Sequence, residues 1–272
     1  EKAAADESLR AADEQGAVAI KVALGTYYSR EAIAARRRDD DMEAERLTTL
    51  AQRHLEASLN FGHIESDLPW LGDGLFQLAC QKDFRAARSR FDAALDLSDK
   101  KSHFGLLGMA CCEFSKGNYE MALGSYVEAL KTPEKCSPAV RIGLAHCFYR
   151  LGDHAMAERA FARVRELDPN NVQAAIGLAL LRLNRSSDSA DPENVQAAMH
   201  LLRDAYVDDE ANPMALNHLA AHFFWKGELD RVKDFCMQSY KATTHDGMRR
   251  ESLLLLARAH HRAQDYTRAK RY

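Results

Sequence analysis

Two imidazoles stand four residues apart in His218-Leu-Ala-Ala-His222, the spacing at which one face of a helix can offer both to a zinc ion. Zinc-protease helices of that kind carry a glutamate general base between the histidines, and a catalytic zinc needs a third protein ligand. Leu219, Ala220 and Ala221 supply no base, and no spacing nearby suggests the third ligand. Core or interface histidines are therefore the favoured reading. His260-His261 cannot share a helix face and is read the same way. Cys111-Cys112 would point to different faces of a helix, and no adjacent basic residue suggests a depressed thiol pKa, so redox chemistry has little support. Arg36-Arg37-Arg38 is followed at once by Asp39-Asp40-Asp41, a self-neutralising run that suits a solvated turn better than a nucleic-acid patch. Gly-rich phosphate loops, a nucleophile elbow and paired catalytic carboxylates are all missing. The chain is expected not to be an enzyme, and no metal or cofactor is expected.

Composition agrees with that reading. The 37 Lys and Arg against 40 Asp and Glu give a formal charge of -3, too little bias to draw the chain to phosphate backbones or anionic lipid. Neither direct nucleic-acid binding nor a membrane is expected, since no apolar stretch approaches the roughly 18 residues of a span. The six cysteines, at 80, 111, 112, 136, 147 and 236, form no C-x-x-C pair and mostly sit in apolar helical patterns, as free thiols would in a reducing compartment. The chain does not start with Met, and Tyr272 interrupts an amphipathic pattern, so it is expected to be an excerpt of a longer protein.

The elements that must position these side chains are legible from small residues. One series runs Ala110, Ala145, Ala179, Ala220, Ala257, and a second runs Ala87, Ala122, Ala157, Ala198, Val232, Ala269. Members of the two series lie 12 residues apart in four places, and Leu75 to Ala87 repeats the interval. Two antiparallel helices can cross at about 8–10 Å only where both present small side chains. A larger plug (Phe91, Tyr126, Phe161, Leu202, Cys236) follows the second small position by four residues, one turn on along the same face. Gly117, Gly152 and Gly227 provide the left-handed turns between paired helices. Asn170-Asn171 after Pro169 offers a cap, and Pro138 and Pro213 suit first helical turns. Successive second-series positions are 35, 35, 41, 34 and 37 residues apart, close to the 34-residue tetratricopeptide (TPR) period. The expected fold is all-α, a TPR helical-hairpin superhelix.

The departures locate its irregularities. Ala179 to Ala198 spans 19 residues, which places seven extra ones within 185–192 and predicts a polar loop protruding from one turn. Upstream, 17–34 and 42–60 form two further helical patterns, with 1–16 as the end of an earlier helix. Residues 1–67 are thus expected to form divergent hairpins, and 68–272 the TPR array, with units near 68–102, 103–137, 138–171, 172–212, 213–249 and a truncated 250–272.

In such arrays the first helices line a concave wall that can read a peptide. The groove candidates on that geometry are Phe104, His146, Tyr149, Arg150, Asn217, Trp225, Arg258 and Arg262. Trp225 leads them, either as an interface anchor or as a packing plug. A carboxylate clamp of the kind that binds chaperone tails is not expected, because the corresponding slots hold Gly72, Leu107, Ile142 and Ile176.

Several segments also resemble one family. Ile142–Phe148, Ala157–Arg163 with Glu166–Pro169, Ile176–Ala179, and above all Asn212–Phe224 followed by Lys226-Gly-Glu-Leu-Asp230 are similar to the TPR subunit of the Paf complex, the RNA polymerase II-associated elongation factor. The resemblance covers about residues 68–272, more loosely upstream. It implies a nuclear scaffold that gathers the other Paf-complex subunits, contacts elongating RNA polymerase II and supports histone modification indirectly. The insert and the Arg/Asp turn depart from that pattern.

Overall fold

The computed structural model describes residues 2–61, 66–99, 101–131, 137–189, 191–243 and 245–272, with side chains omitted for 2–12, 139 and 186–189. It falls into two compact units, 1–151 and 152–272.

Unit 1 begins with α1 (Lys2–Arg37) and α2 (Asp41–Leu59). Residues 1–16 were expected to end an earlier helix; instead, the described part runs unbroken into the 17–34 pattern as one helix of 36 residues. Asp39 turns the chain at φ +57, and the Asp40 carboxylate accepts from the Glu43 amide at 3.1 Å, which starts α2. The Arg/Asp run thus forms a turn, but its charges do more than cancel. Arg36 donates to the Cys80 carbonyl at 2.9 Å and to Thr48 Oγ1 at 3.3 Å, tying the first hairpin to the second.

The second hairpin pairs α3 (Leu68–Phe76), prolonged by a π-helical turn at Gln77–Gln81, with α4 (Phe84–Leu97). The wider turn rotates the preceding face, so Leu75, assigned to the small first-series position, points outward at 48% exposure. Phe76 and Cys80 fill the interior instead. Then come α5 (His103–Lys116), α6 (Tyr119–Leu130) and α7 (Pro138–Arg150). Cys136 and its neighbours 132–135 lie outside the described residues.

Unit 2 holds α8 (His154–Leu167), α9 (Val172–Ser189), α10 (Pro192–Asp208), α11 (Pro213–Lys226), α12 (Leu229–Ala242), α13 (Asp246–Arg262) and the short α14 (Tyr266–Ala269). Its helices start at side chains able to cap them: Asp153 accepts from Met156, Asn171 from Ala174, and Asn212 from Met214 and Ala215. Gly117, Gly152 and Gly227 all sit at φ between +81 and +88, the conformation that ends a helix at least cost when the residue has no Cβ.

The small positions are fully buried at Ala87, Ala110, Ala122, Ala145, Ala157, Ala179, Ala198, Ala220 and Val232. Each aromatic plug lies against a glycine of the following helix. A Cβ added to Gly108 would fall 2.4 Å from the Phe91 ring, one on Gly143 2.4 Å from Tyr126, and one on Gly177 2.5 Å from Phe161. Ring and bare backbone interlock, and this sets the helix spacing. At the same register α11 carries His218, and there the plug is Leu202.

The expected protruding loop is not what the seven extra residues build. Measured from its small residue, α9 runs four residues further than α5 or α11, and α10 starts three residues earlier than α6 or α12. Both helices are simply longer, and only residues 190 and 191 remain between them, of which 190 lies outside the described residues. Ser and Asp in 186–189 do not forbid a helix once one is already propagating, and Asp191 caps its partner by accepting from Glu193 at 3.0 Å.

Candidate functional site

Among the described residues no three His, Cys, Asp or Glu come together as a metal would require, and no helix is long and apolar enough to cross a membrane. Burial pushes the Cys112 and Cys147 thiols up to about 11 and Cys236 up to about 12, away from the thiolate form. Lys116 and Arg88 do pull Cys112 downward, a correction to the expectation of no basic neighbour, but desolvation outweighs them.

The eight groove candidates divide between the units. In unit 1, Phe104 is exposed at 65% with its ring edge against His103. Arg150 lies over the Tyr119 ring at 4.7 Å, while Phe114 sits between Tyr119 and His146, with ring centroids 5.2 and 6.5 Å away. Tyr149 is half-buried beside them in sequence. Arg150, Tyr119, Phe114 and His146 form a mixed aromatic and basic surface at the end of α7, whereas Phe104 stands apart from it at the start of α5.

In unit 2, Asn217 must be removed from the groove. It is fully buried, its amide donates to the Met248 carbonyl at 3.2 Å, and its oxygen accepts from Ser252 at 2.8 Å. Ser252 also meets Ser239 Oγ at 3.0 Å, and Ser239 donates to the Pro213 carbonyl at 3.1 Å. A polar side chain on a first helix reads as groove-lining by sequence, but here it ties α11, α12 and α13 together inside the core.

The remaining three converge on the last turn of α11. Phe223 turns inward, stacked on Phe235 at 5.6 Å. Phe224 turns toward α13, where Arg258 and Arg262 place guanidinium carbons 5.1 and 5.3 Å from its ring centroid. Arg262 also donates to the Phe224 carbonyl at 2.6 Å, satisfying a helix C-terminus. Trp225 projects outward at 76% exposure, with Phe224 edge-on at 6.0 Å.

Two clefts flank this turn. One, of about 900 Å³, opens between α11, α13 and the four-residue α14, where Phe224, Arg258 and Arg262 adjoin Ala257 and Ala269, the paired small positions of the last hairpin. The other, of about 480 Å³, lies between α11 and the α9/α10 hairpin, where Trp225, His218 and His222 face Leu183, Val195 and Met199. Val195 and Met199 escape the sequence reading because they sit on a second helix, which the hairpin rule assigns to the opposite side.

His218 and His222 keep their pKa below the ordinary 6.5, chiefly because burial disfavours the charged ring; Glu251 opposes this for His218, while Lys226 adds to it and Glu228 opposes it for His222. As pH falls past 6.5 the unfolded chain takes up these protons first, so folded stability declines until the lowered folded-state values are passed. The melting temperature should therefore drop between pH 7.5 and 5.5, and drop less in a His218→Gln/His222→Gln variant.

No protein-family model matches the chain. Solved structures that share the architecture include yeast Tom70, with TM-score 0.64 at 16% identity over 91% of this chain and 56% of that one. The Cut9 and Hcn1 hetero-tetramer of the APC/C gives TM-score 0.62 at 16% identity over 86% of this chain and 48% of that one. At such identities the likeness establishes the fold alone. Stacked two-helix hairpins on a spacing near 34 residues define a tetratricopeptide-repeat protein. Within that class the chain is a CTR9-like TPR protein. It is 31% identical over 255 residues, 94% of its length, to the Arabidopsis thaliana protein CTR9 homolog. It is also 29% identical over 175 residues to the Caenorhabditis elegans RNA polymerase-associated protein CTR9 and 26% identical over 208 residues to that of Saccharomyces cerevisiae. The chain spans 22%, 15% and 18% of the length of these three relatives.

Proposed function

We propose that this segment is a protein-binding scaffold of an RNA polymerase II-associated Paf complex in the nucleus, where it gathers other subunits, contacts the elongating polymerase and supports co-transcriptional histone modification. The identity to the Arabidopsis CTR9 homolog, sustained over 94% of the chain, carries the reading. The surface at Trp225, Arg258 and Arg262, with a second one at His146, Tyr149 and Arg150 and with Phe104 exposed separately at the start of α5, is what such a scaffold would use to hold its partners.

Affinity purification of the tagged protein from nuclear extract, followed by crosslinking, tests this. Paf-complex subunits and polymerase should be enriched. Recovery of a different multiprotein assembly, with neither present, would overturn the reading in favour of a TPR adaptor elsewhere. In the same assay Trp225→Ala is expected to lower partner recovery about tenfold with the helical circular dichroism unchanged, because a side chain at 76% exposure holds little of the fold together.

A further inference from the structure

We infer that the seam between the α9/α10 hairpin and α11 is the joint at which unit 2 flexes, a movement that widens and narrows the cleft beside Trp225. The inference stands on the packing within unit 2 and does not depend on the scaffold reading.

Unit 2 has three seams at which one hairpin meets the next helix. At α8/α9 the Phe161 ring fills the notch left by Gly177, and Arg185 Nη2 meets Glu158 Oε2 at 2.7 Å. At α12/α13 the network of Asn217, Ser239 and Ser252 crosses in place of a ring, and Arg262 reaches back from α13 to the Phe224 carbonyl. Both devices fix an angle, since hydrogen bonds are directional and a ring in a fitted notch cannot slide.

The α10/α11 seam has neither. Leu202 stands where α4, α6 and α8 carry a ring, and His218 stands where α5, α7 and α9 carry a glycine. Among the described residues, no hydrogen bond or ion pair joins α9 or α10 to α11 or α12. What crosses is apolar: Tyr206 lies edge-on to Phe235 at 5.8 Å, and Leu202 clusters with Ala215 and Leu219. Apolar contact is non-directional, so it holds the hairpins together while permitting rotation between them. Clefts of about 480 and 630 Å³ open on this same seam, with Leu183, Val195 and Met199 on one wall and His222 and Trp225 on the other. Space beside a helix lets it move without collision, and Met199 can change rotamer as the walls shift. Small sliding of packed helices is one of the ordinary modes of conformational change. Rotation of α11 and opening of the cleft are then one movement, so a segment held beside Trp225 would also set the angle of the helices that follow.

Thiol labelling in the full-length protein tests this. Ala215 is fully buried in the α10/α11 seam, and Ala174, equally buried, lies one turn before Gly177 on α9. In Ala215→Cys and Ala174→Cys proteins, uptake of N-ethylmaleimide, resolved by peptide mass spectrometry, should be at least tenfold faster at 215 than at 174. Adding Leu202→Phe/His218→Gly, which installs a ring and its notch as in the neighbouring seam, should slow uptake at 215 at least tenfold and leave 174 within twofold, with circular dichroism confirming the fold. Equal uptake at the two positions, faster uptake at 174, or unchanged uptake at 215 in the folded double variant would each overturn the inference. Where the double variant does not fold, the comparison of 215 with 174 decides by itself.

Discussion

Phe161→Ala should lower the stability of unit 2 by about 3–5 kcal/mol, the range for emptying a buried aromatic site. Phe161 is 2% exposed on α8, and its ring fills the space that the absent side chain of Gly177 leaves on α9. The reciprocal change, Gly177→Ala, should also destabilise, by about 1–3 kcal/mol, because its Cβ would stand 2.5 Å from the ring. Combined, the two should cost less than their sum, since the new methyl enters the cavity left by the ring. Urea unfolding of all four proteins measures this. Strict additivity would mean that ring and glycine do not interlock. Stacked repeats share stability between neighbours, so the loss should spread to α10 and be visible in amide exchange there.

Arg88→Met has the second largest expected effect, a loss of about 3 kcal/mol, at the low end of what stranding a buried charge costs. Glu113 lies inside α5 at 1% side-chain exposure, and Arg88 Nη1 approaches its Oε1 at 2.8 Å, an ion pair whose angle falls short of a hydrogen bond. Asn118 donates to the other oxygen at 2.7 Å and would remain, and Arg88 itself is 38% exposed, both of which moderate the loss. Arg88→Met/Glu113→Leu should recover most of the stability, because two apolar groups need no partner. A double variant as unstable as the single one would show that Glu113 matters for something other than its pairing with Arg88.

The paired small positions and their plugs were readable from sequence because they obey one geometric constraint, close helix crossing, which few side chains satisfy. Leu75 failed because a π-helical turn adds a residue without any mark in composition. Asn217 failed because residue type alone cannot tell a polar side chain facing solvent from one that completes a buried network with Ser239 and Ser252. The insertion was located correctly and its form was not: Ser and Asp favour loops as isolated residues, whereas two long helices already packed together carry such residues along. At the exposed end of α11, Trp225, Arg258 and Arg262 could be picked from a helix-face argument. Val195 and Met199 could not, since they lie on a second helix, which the hairpin rule assigns to the opposite side.

That extension bears on how a stack of similar hairpins avoids ambiguity. Near-repeating units offer a bound strand or helix several almost equivalent seats, one repeat apart, and sliding between them would cost little. A pair of helices longer than its neighbours, by four residues or about 6 Å in the case of α9, breaks that translational degeneracy. For an elongated partner lying along the hairpins it would be a fiducial mark on an otherwise periodic ruler.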